Sequence, residues 1–224
     1  MIPIHEALEH VQEKIKRACL RSSRDPEAVK LVAVTKTVSL DRMREAVQSG
    51  IRDFGENYVQ EAKEKIDTLG TEEITWHMIG HVQTNKLKYI TGRFHYIHSV
   101  DRWELLEKLD RYPTSVNVLF ELNLSGEKSK HGTDEDGLRS MLDKAGSLKH
   151  VRPSGLMTMA PYVDNPEKAR PIFAQLRALL DKINSEFKFG MNELSMGMSS
   201  DFEVAIEEGA TMVRIGSALF GERS

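Results

Sequence analysis

The sequence predicts an α/β protein folded as a (β/α)8 TIM-type barrel with an additional N-terminal helix. Short apolar runs rich in β-branched residues alternate with amphipathic helical stretches along the whole chain. No pair of runs is joined by a hairpin signal, so the strands read as a parallel sheet. The 224 residues lie near the short end for such a barrel and show no composition break or low-complexity segment, so 1–224 reads as one domain. At about eight strands a closed barrel is favoured over an open doubly wound sheet.

Residues 4–20 read as a helix, with Ile4, Ala7, Leu8, Val11, Ile15 and Ala18 at helical spacing. Leu31-Val32-Ala33-Val34 is a strand buried on both faces, and Met43, Ala46 and Val47 mark a helix ending at Gly50. Ile51–Gly55 is the second strand, and the helix with Val59, Ala62, Ile66 and Leu69 closes at Gly70. Ile74–Gly80 is the third, with a short helix near Asn85–Ile90, and Phe94–Val100 is the fourth. Asp101 followed by Glu104 is a capping signature ahead of Leu105, Leu106 and Leu109.

Val116–Leu124 is the fifth strand, and Leu138, Met141, Leu142 and Ala145 follow on a helix. Arg152–Met159 is the sixth strand, and Asn165-Pro166 opens the longest helix, with Pro at its first position. Glu193–Met196 is the seventh strand, Ser200 with Glu203 caps the next helix, and Thr211–Ile215 is the eighth. Ala218–Phe220 starts a last helical turn.

Lys and Arg total 31 against 34 Asp and Glu, a net charge of −3 that offers nothing to a nucleic-acid backbone or an anionic membrane. The lone Cys19 cannot form an intramolecular disulfide and falls in a helical pattern, as a buried structural thiol does. That usage suits the reducing cytoplasm. The N-terminus has no signal-peptide pattern, and no apolar stretch is long enough to span a bilayer. The apolar faces are all used by the barrel, which predicts a monomer.

Function in such barrels sits at the C-terminal ends of the strands, with phosphate often held after strands seven and eight. Polar residues gather there: Thr35-Lys36-Thr37, Gly55-Glu56-Asn57-Tyr58, Ser195–Ser200 and Arg214-Ile215-Gly216-Ser217. Lys36 ends an apolar strand and shares the phase of Val32 and Val34. In partly apolar surroundings its amine would lose charge and become a nucleophile toward an aldehyde. The plainer reading is a rim lysine in water. Ser195–Ser200 and Gly216-Ser217 are lean, Gly/Ser-rich turns leading into helix N-termini, where backbone N–H groups favour an anion. Each alone is an ordinary loop. Arg214 places a positive charge inside the barrel mouth, or else pairs with a surface carboxylate. His77 and His81 are four apart, but on extended or turn backbone, so no metal site is expected. The Lys128-Ser129-Lys130 loop before His131 reads as solvated, with attraction of a phosphate as the alternative.

At these residues the chain resembles the pyridoxal-phosphate homeostasis proteins, whose barrel is that of the alanine racemase N-terminal domain. The stretches that carry the resemblance are Ala33–Thr37, Phe54–Glu61, Trp76–Gly80, Ser99–Arg102, Gly155–Met157, Leu194–Ser199 and Met212–Gly216, in order along nearly the whole chain. The resemblance implies a fold-type III pyridoxal 5′-phosphate (PLP) barrel without the C-terminal β-domain. It implies that Lys36 forms the Schiff base with PLP and that Asn57 lies beside the pyridine ring. Ser199, with the backbone of Gly216 and Ser217, would bind the phosphate. Arg214 would face the ring nitrogen and keep it unprotonated, weakening the ring as an electron sink. His81 stands where many members have Pro, leaving a local proton donor open, and Ser217 replaces a common Thr while keeping the hydroxyl.

Alanine racemases carry a C-terminal β-domain and complete the site with a partner's tyrosine, whereas this chain stops at Ser224. Racemisation needs an acid and a base on opposite faces of the substrate, and the second has no obvious supplier here. The expectation is a protein of intracellular PLP (vitamin B6) homeostasis, without catalytic residues, whose partners are PLP and PLP-dependent apo-enzymes. The alternatives are a racemase-like enzyme and a sugar-phosphate enzyme that uses the same turns without PLP.

Overall fold

The computed structural model describes residues 2–127, 131–161 and 163–221, and in them eight parallel strands close into a barrel in sequence order. The strands are β1 (Lys30–Val34), β2 (Asp53–Glu56), β3 (Thr75–Met78), β4 (Tyr96–Val100), β5 (Val116–Leu122), β6 (Val151–Thr158), β7 (Glu193–Met198) and β8 (Met212–Ile215). The barrel shuts where β8 pairs with β1, with Val32 opposite Arg214 and Ala33 opposite Ile215.

The helices are α1 (Ile4–Arg21), α2 (Leu40–Gln48), α3 (Val59–Leu69), α4 (Leu87–Ile90), α5 (Trp103–Leu109), α6 (Glu135–Ala145), α7 (Arg170–Phe187), α8 (Phe202–Glu207) and α9 (Ser217–Phe220). The additional helix α1 packs against α2, α8 and α9, covering the seam that the four-residue α9 is too short to cover. Ile4, Leu8, Val11, Ile15 and Ala18 form its buried stripe. No helix among the described residues is long and apolar enough to cross a membrane.

Strand alternation divides the buried residues into two sets. Phe54, Trp76, Ile97, Val118, Phe120, Leu156 and Val213 face outward and pack under the helices in the main apolar cluster. Val32, Leu119, Met157 and Met212 are buried in the opposite phase, inside the barrel. Barrel interiors are ordinarily filled by layers of branched apolar side chains. Here His77, His98, Ser195 and Arg214 are buried there as well.

Several expected boundaries move, each for a local reason. β1 ends at Val34, so Lys36 stands in the turn beyond the strand instead of terminating it. Asp101 does not cap α5: the N-cap is Arg102, without a side-chain cap, because the Asp101 carboxylate is engaged by the Arg102 guanidinium at 2.5 Å. Nor does Ser200 cap α8. The N-cap is Asp201, whose Oδ1 instead accepts the Met198 amide at 2.6 Å. Asn165 caps a short 3-10 turn, Pro166–Ala169, and the α-helix proper begins at Arg170. Lys128, Ser129, Lys130 and Ser224 lie outside the described residues.

Gly80 shows how closely the site loops pack. A Cβ there would come within 2.2 Å of the Asn57 carbonyl oxygen, so the β3 loop can lie against the β2 loop only through glycine. Gly80→Ala is expected to destabilise the chain by about 1–3 kcal/mol, the usual range for overpacking, and to lower the urea midpoint. An unchanged midpoint would refute this packing.

Candidate functional site

A cavity of about 480 Å³ opens at the C-terminal ends of the strands, lined by Val34, Lys36, Asn57, Ile79, Met159, Met198, Ser199, Ser200, Arg214, Gly216 and Ser217. That size suits a small-molecule ligand. Lys36, Asn57, Ser199, Arg214, Gly216 and Ser217, dispersed in sequence, therefore line one cavity. Lys36 lies with the Gly/Ser turns and not among the outer helices.

A buried clamp holds the backbone on both sides of Lys36. Lys65 Nζ on α3 donates to Thr35 O at 2.5 Å, Glu56 Oε1 at 2.8 Å and Glu61 Oε1 at 2.6 Å. The Thr35 hydroxyl donates to Glu56 Oε1 at 2.5 Å, and the Thr37 amide donates to Glu61 Oε1 at 2.6 Å. Thr37 sits at φ 63°, a left-handed conformation that a β-branched residue adopts only when its surroundings impose it. Burial raises the Glu56 pKa against the pull of Lys65. Buried ion pairs add little net stability, but removing one partner strands the other. The clamp therefore acts chiefly to fix the Lys36 turn. Lys65 escaped the sequence reading; its signal was the four-residue spacing from Glu61 on one helix face.

The opposite wall gathers N–H donors. The amides of Gly216 and Ala218 both donate to the Ser199 hydroxyl oxygen, at 3.2 and 3.3 Å, so two donors from the turn after β8 converge on one oxygen from the turn after β7. The donors expected here were the amides of Gly216 and Ser217; those observed at Ser199 are Gly216 and Ala218. β7 runs to Met198, which leaves Ser199 and Ser200 as the turn and places Ser195 in the barrel interior. Gly197, at φ +90°, lets α8 pack on this strand, since a Cβ would lie 2.6 Å from that of Ala205. Across the cavity Asn57 Oδ1 is buried with no hydrogen-bond partner among the described residues, as an atom awaiting a donor would be.

Arg214 is 5% exposed; its Nη1 donates to Ser195 Oγ at 2.7 Å and its Nη2 to Thr158 O at 2.9 Å. Burial lowers its pKa to about 10, while Asp201 and Glu121 act in the other direction. It stays protonated at neutral pH, and a guanidinium has donors to spare beyond those two bonds. Glu121, buried at the end of β5, was not anticipated. Desolvation, helped by Asp101 and opposed by Arg214, raises its pKa to about 7. The legible sign was a lone Glu in an apolar strand, in phase with the interior residue Leu119.

His81 does not line the cavity. Its Nδ1 lies 3.6 Å from Asp101 Oδ2, its ring stacks on His131 at 4.2 Å, and burial lowers its pKa. His81, Asp101 and His131 bring three possible metal-ligand atoms within 4.8 Å of one another. The rings, however, lie nearly parallel, at 17°, so their in-plane lone pairs run side by side, and Arg102 already holds the carboxylate. His77, on β3, is buried in the interior and separate from this group.

The fold and the cavity define the class of barrel found in alanine racemases: a profile of the alanine racemase N-terminal domain matches residues 6–224. A pyridoxal phosphate homeostasis protein of Aquifex aeolicus is 44% identical over 222 residues, covering 97% of each chain. One from Pseudomonas aeruginosa is 41% identical over 227 residues, covering 100% of this chain and 97% of the other. PipY of Synechococcus elongatus, solved with PLP bound, superposes with a TM-score of 0.84 at 38% identity, covering 97% of this chain and 100% of PipY. The chain belongs to the pyridoxal phosphate homeostasis protein family.

Glu121 generates a pH prediction. Its folded pKa of about 7 lies above the ordinary 4.5, so its contribution to stability is full below pH 4.5 and is lost as pH rises through 7. Relative to the wild type, Glu121→Gln is expected to gain up to about 3 kcal/mol between pH 4.5 and 8, read from urea unfolding at each pH. Parallel stability profiles for the two chains would refute the assignment.

Proposed function

We propose that this chain binds PLP in the barrel-mouth cavity and serves intracellular PLP homeostasis by holding the cofactor, without robust catalysis of its own. The observation that carries the reading is the lining of one cavity by the Lys36 side chain, the donor cluster at Ser199 and the Arg214 guanidinium. These residues fit the group. PLP needs an amine for its aldehyde, N–H and hydroxyl donors for its phosphate and a polar neighbour for its ring. The unpartnered Asn57 Oδ1 and the donors converging on Ser199 meet those demands.

When bound, PLP supplies an aldehyde that condenses with amines and a ring able to withdraw electrons. Lys36 is the amine, held by the clamp of Lys65, Glu56 and Glu61. Ser199, Gly216 and Ser217 hold the phosphate through hydroxyl and amide donors, with Ala218 beside them. Asn57 orients the ring from the β2 side. Arg214, a donor at neutral pH, leaves the ring nitrogen in its unprotonated, acceptor form. That choice restrains carbanion chemistry and favours holding over turnover. The reading extends to a single-domain monomer in the cytoplasm that passes PLP to apo-enzymes. PipY, the related protein solved with PLP, supports the cofactor assignment.

The purified chain mixed with PLP is expected to develop a visible absorption band. Borohydride should then fix the adduct on Lys36, as mapped by mass spectrometry, and Lys36→Ala should abolish the band. Assays across the common amino acids are expected to show no turnover. A colourless protein in which Lys36→Ala still binds phosphate ligands would overturn the proposal in favour of a sugar-phosphate enzyme.

A further inference from the structure

Inside the barrel runs a row of side chains that cofactor contact leaves unexplained. Asp53 Oδ1 lies 2.9 Å from His77 Nε2, His77 Nδ1 lies 2.9 Å from His98 Nε2, and His98 Nδ1 lies 2.8 Å from Ser195 Oγ. Ser195 Oγ in turn receives Arg214 Nη1 at 2.7 Å. These residues come from β2, β3, β4, β7 and β8. The row therefore crosses the interior from the N-terminal end of β2, where the Asp53 side chain is 21% exposed, to the cavity wall.

The chemistry of the two ends sets the direction of every bond between them. A guanidinium only donates, so Ser195 Oγ accepts from Arg214 and keeps its own proton available for His98 Nδ1. At the other end a carboxylate only accepts and takes the proton of His77 Nε2. His98 is then protonated at Nε2 and donates to His77 Nδ1. His77 is likewise protonated at Nε2 and donates to Asp53. No other arrangement of two neutral rings satisfies all four contacts. Burial depresses the pKa of both rings, with Asp53 opposing this at His77 and with His77, Arg214 and Lys30 reinforcing it at His98. Tyr96 stacks on the His77 ring at 4.8 Å and limits its rotation.

We propose that Ser195, His98, His77 and Asp53 are positioning residues, forming a one-directional relay of hydrogen bonds that fixes the Arg214 guanidinium at the cavity wall. With Nη1 held by Ser195 and Nη2 held by Thr158 O, the plane of the guanidinium is set. Its remaining donors then keep a constant direction. The relay itself is a property of the protein alone; its effect on a ligand rests on the PLP reading above.

Long-range 1H–15N spectra of the full-length chain without PLP are expected to show His77 and His98 as neutral rings protonated at Nε2 at pH 7. A proton on Nδ1 of either ring, or an imidazolium, would overturn the relay. His98→Leu breaks it and is expected to weaken PLP binding about tenfold, the usual scale for losing a partner of a charged hydrogen bond. It should also shift the absorption maximum of bound PLP and the pH at which that spectrum changes. His98→Gln, which can still donate and accept, should restore most of both effects. Unchanged affinity and spectrum in a folded His98→Leu chain would refute the positioning role. Should the wild-type chain bind no PLP, the functional reading fails, and the ring tautomers alone decide the relay.

Discussion

Pairing of β8 with β1, with Val32 opposite Arg214 and Ala33 opposite Ile215, brings the first strand of the chain beside the last and makes one site from both ends. Without that closure Lys36 would stand at an open sheet edge, far from Gly216 and Ser217. With it, parallel strands that all point one way deliver their C-terminal turns to a common rim, so the amine and the donor-rich turns line one cavity. The helix α1 belongs to the same constraint, because it covers the seam that α9 leaves short.

Two polar assemblies sit in places that would more simply be apolar, and both flank the cavity. One is the clamp of Lys65, Glu56 and Glu61 beneath the Lys36 turn; the other is the row from Asp53 to Arg214 through the interior. Burying such groups costs more than burying hydrocarbon of similar volume, and a half-satisfied network is worse than none. Their justification is geometric. The clamp imposes a left-handed Thr37 and so directs the residue before it, while the row orients a guanidinium whose own burial has already lowered its pKa. A site that holds a small ligand gains from rigid partners, since a misdirected donor or amine would weaken retention.

Family membership and fold agree for the barrel. The alanine racemase N-terminal profile accounts for the fold, and the homeostasis relatives span nearly the same length. Arg214 lines the cavity as a protonated donor, and under the proposed function it would keep the cofactor electronically quiet. Desolvation raises the pKa of Glu121 to about 7, with Arg214 opposing the shift.

The local pattern alone determined the alternation of strand and helix, the helix stripes such as Ile4, Leu8, Val11 and Ile15, and the polar turns after strands one, two, seven and eight. Those features depend on periodicity and on which residues follow each apolar run, both short-range properties. The choice of Lys36, Asn57, Ser199, Arg214, Gly216 and Ser217 within those turns came from the family resemblance. Caps were less legible: Asp101 and Ser200 were expected at helix starts, but the Asp101 carboxylate is drawn to Arg102, and the N-cap of α8 is Asp201, whose carboxylate accepts the Met198 amide. Tertiary structure alone decided which strand faces meet across the barrel. His77, His98 and Ser195 look like isolated polar residues in three separate strands, and only the closed interior places them in hydrogen-bonding distance. Lys65 likewise reads as a surface helix residue until α3 is laid against the ends of β1 and β2. Sequence spacing reports neighbours along the chain, whereas charge pairing and burial depend on neighbours across it.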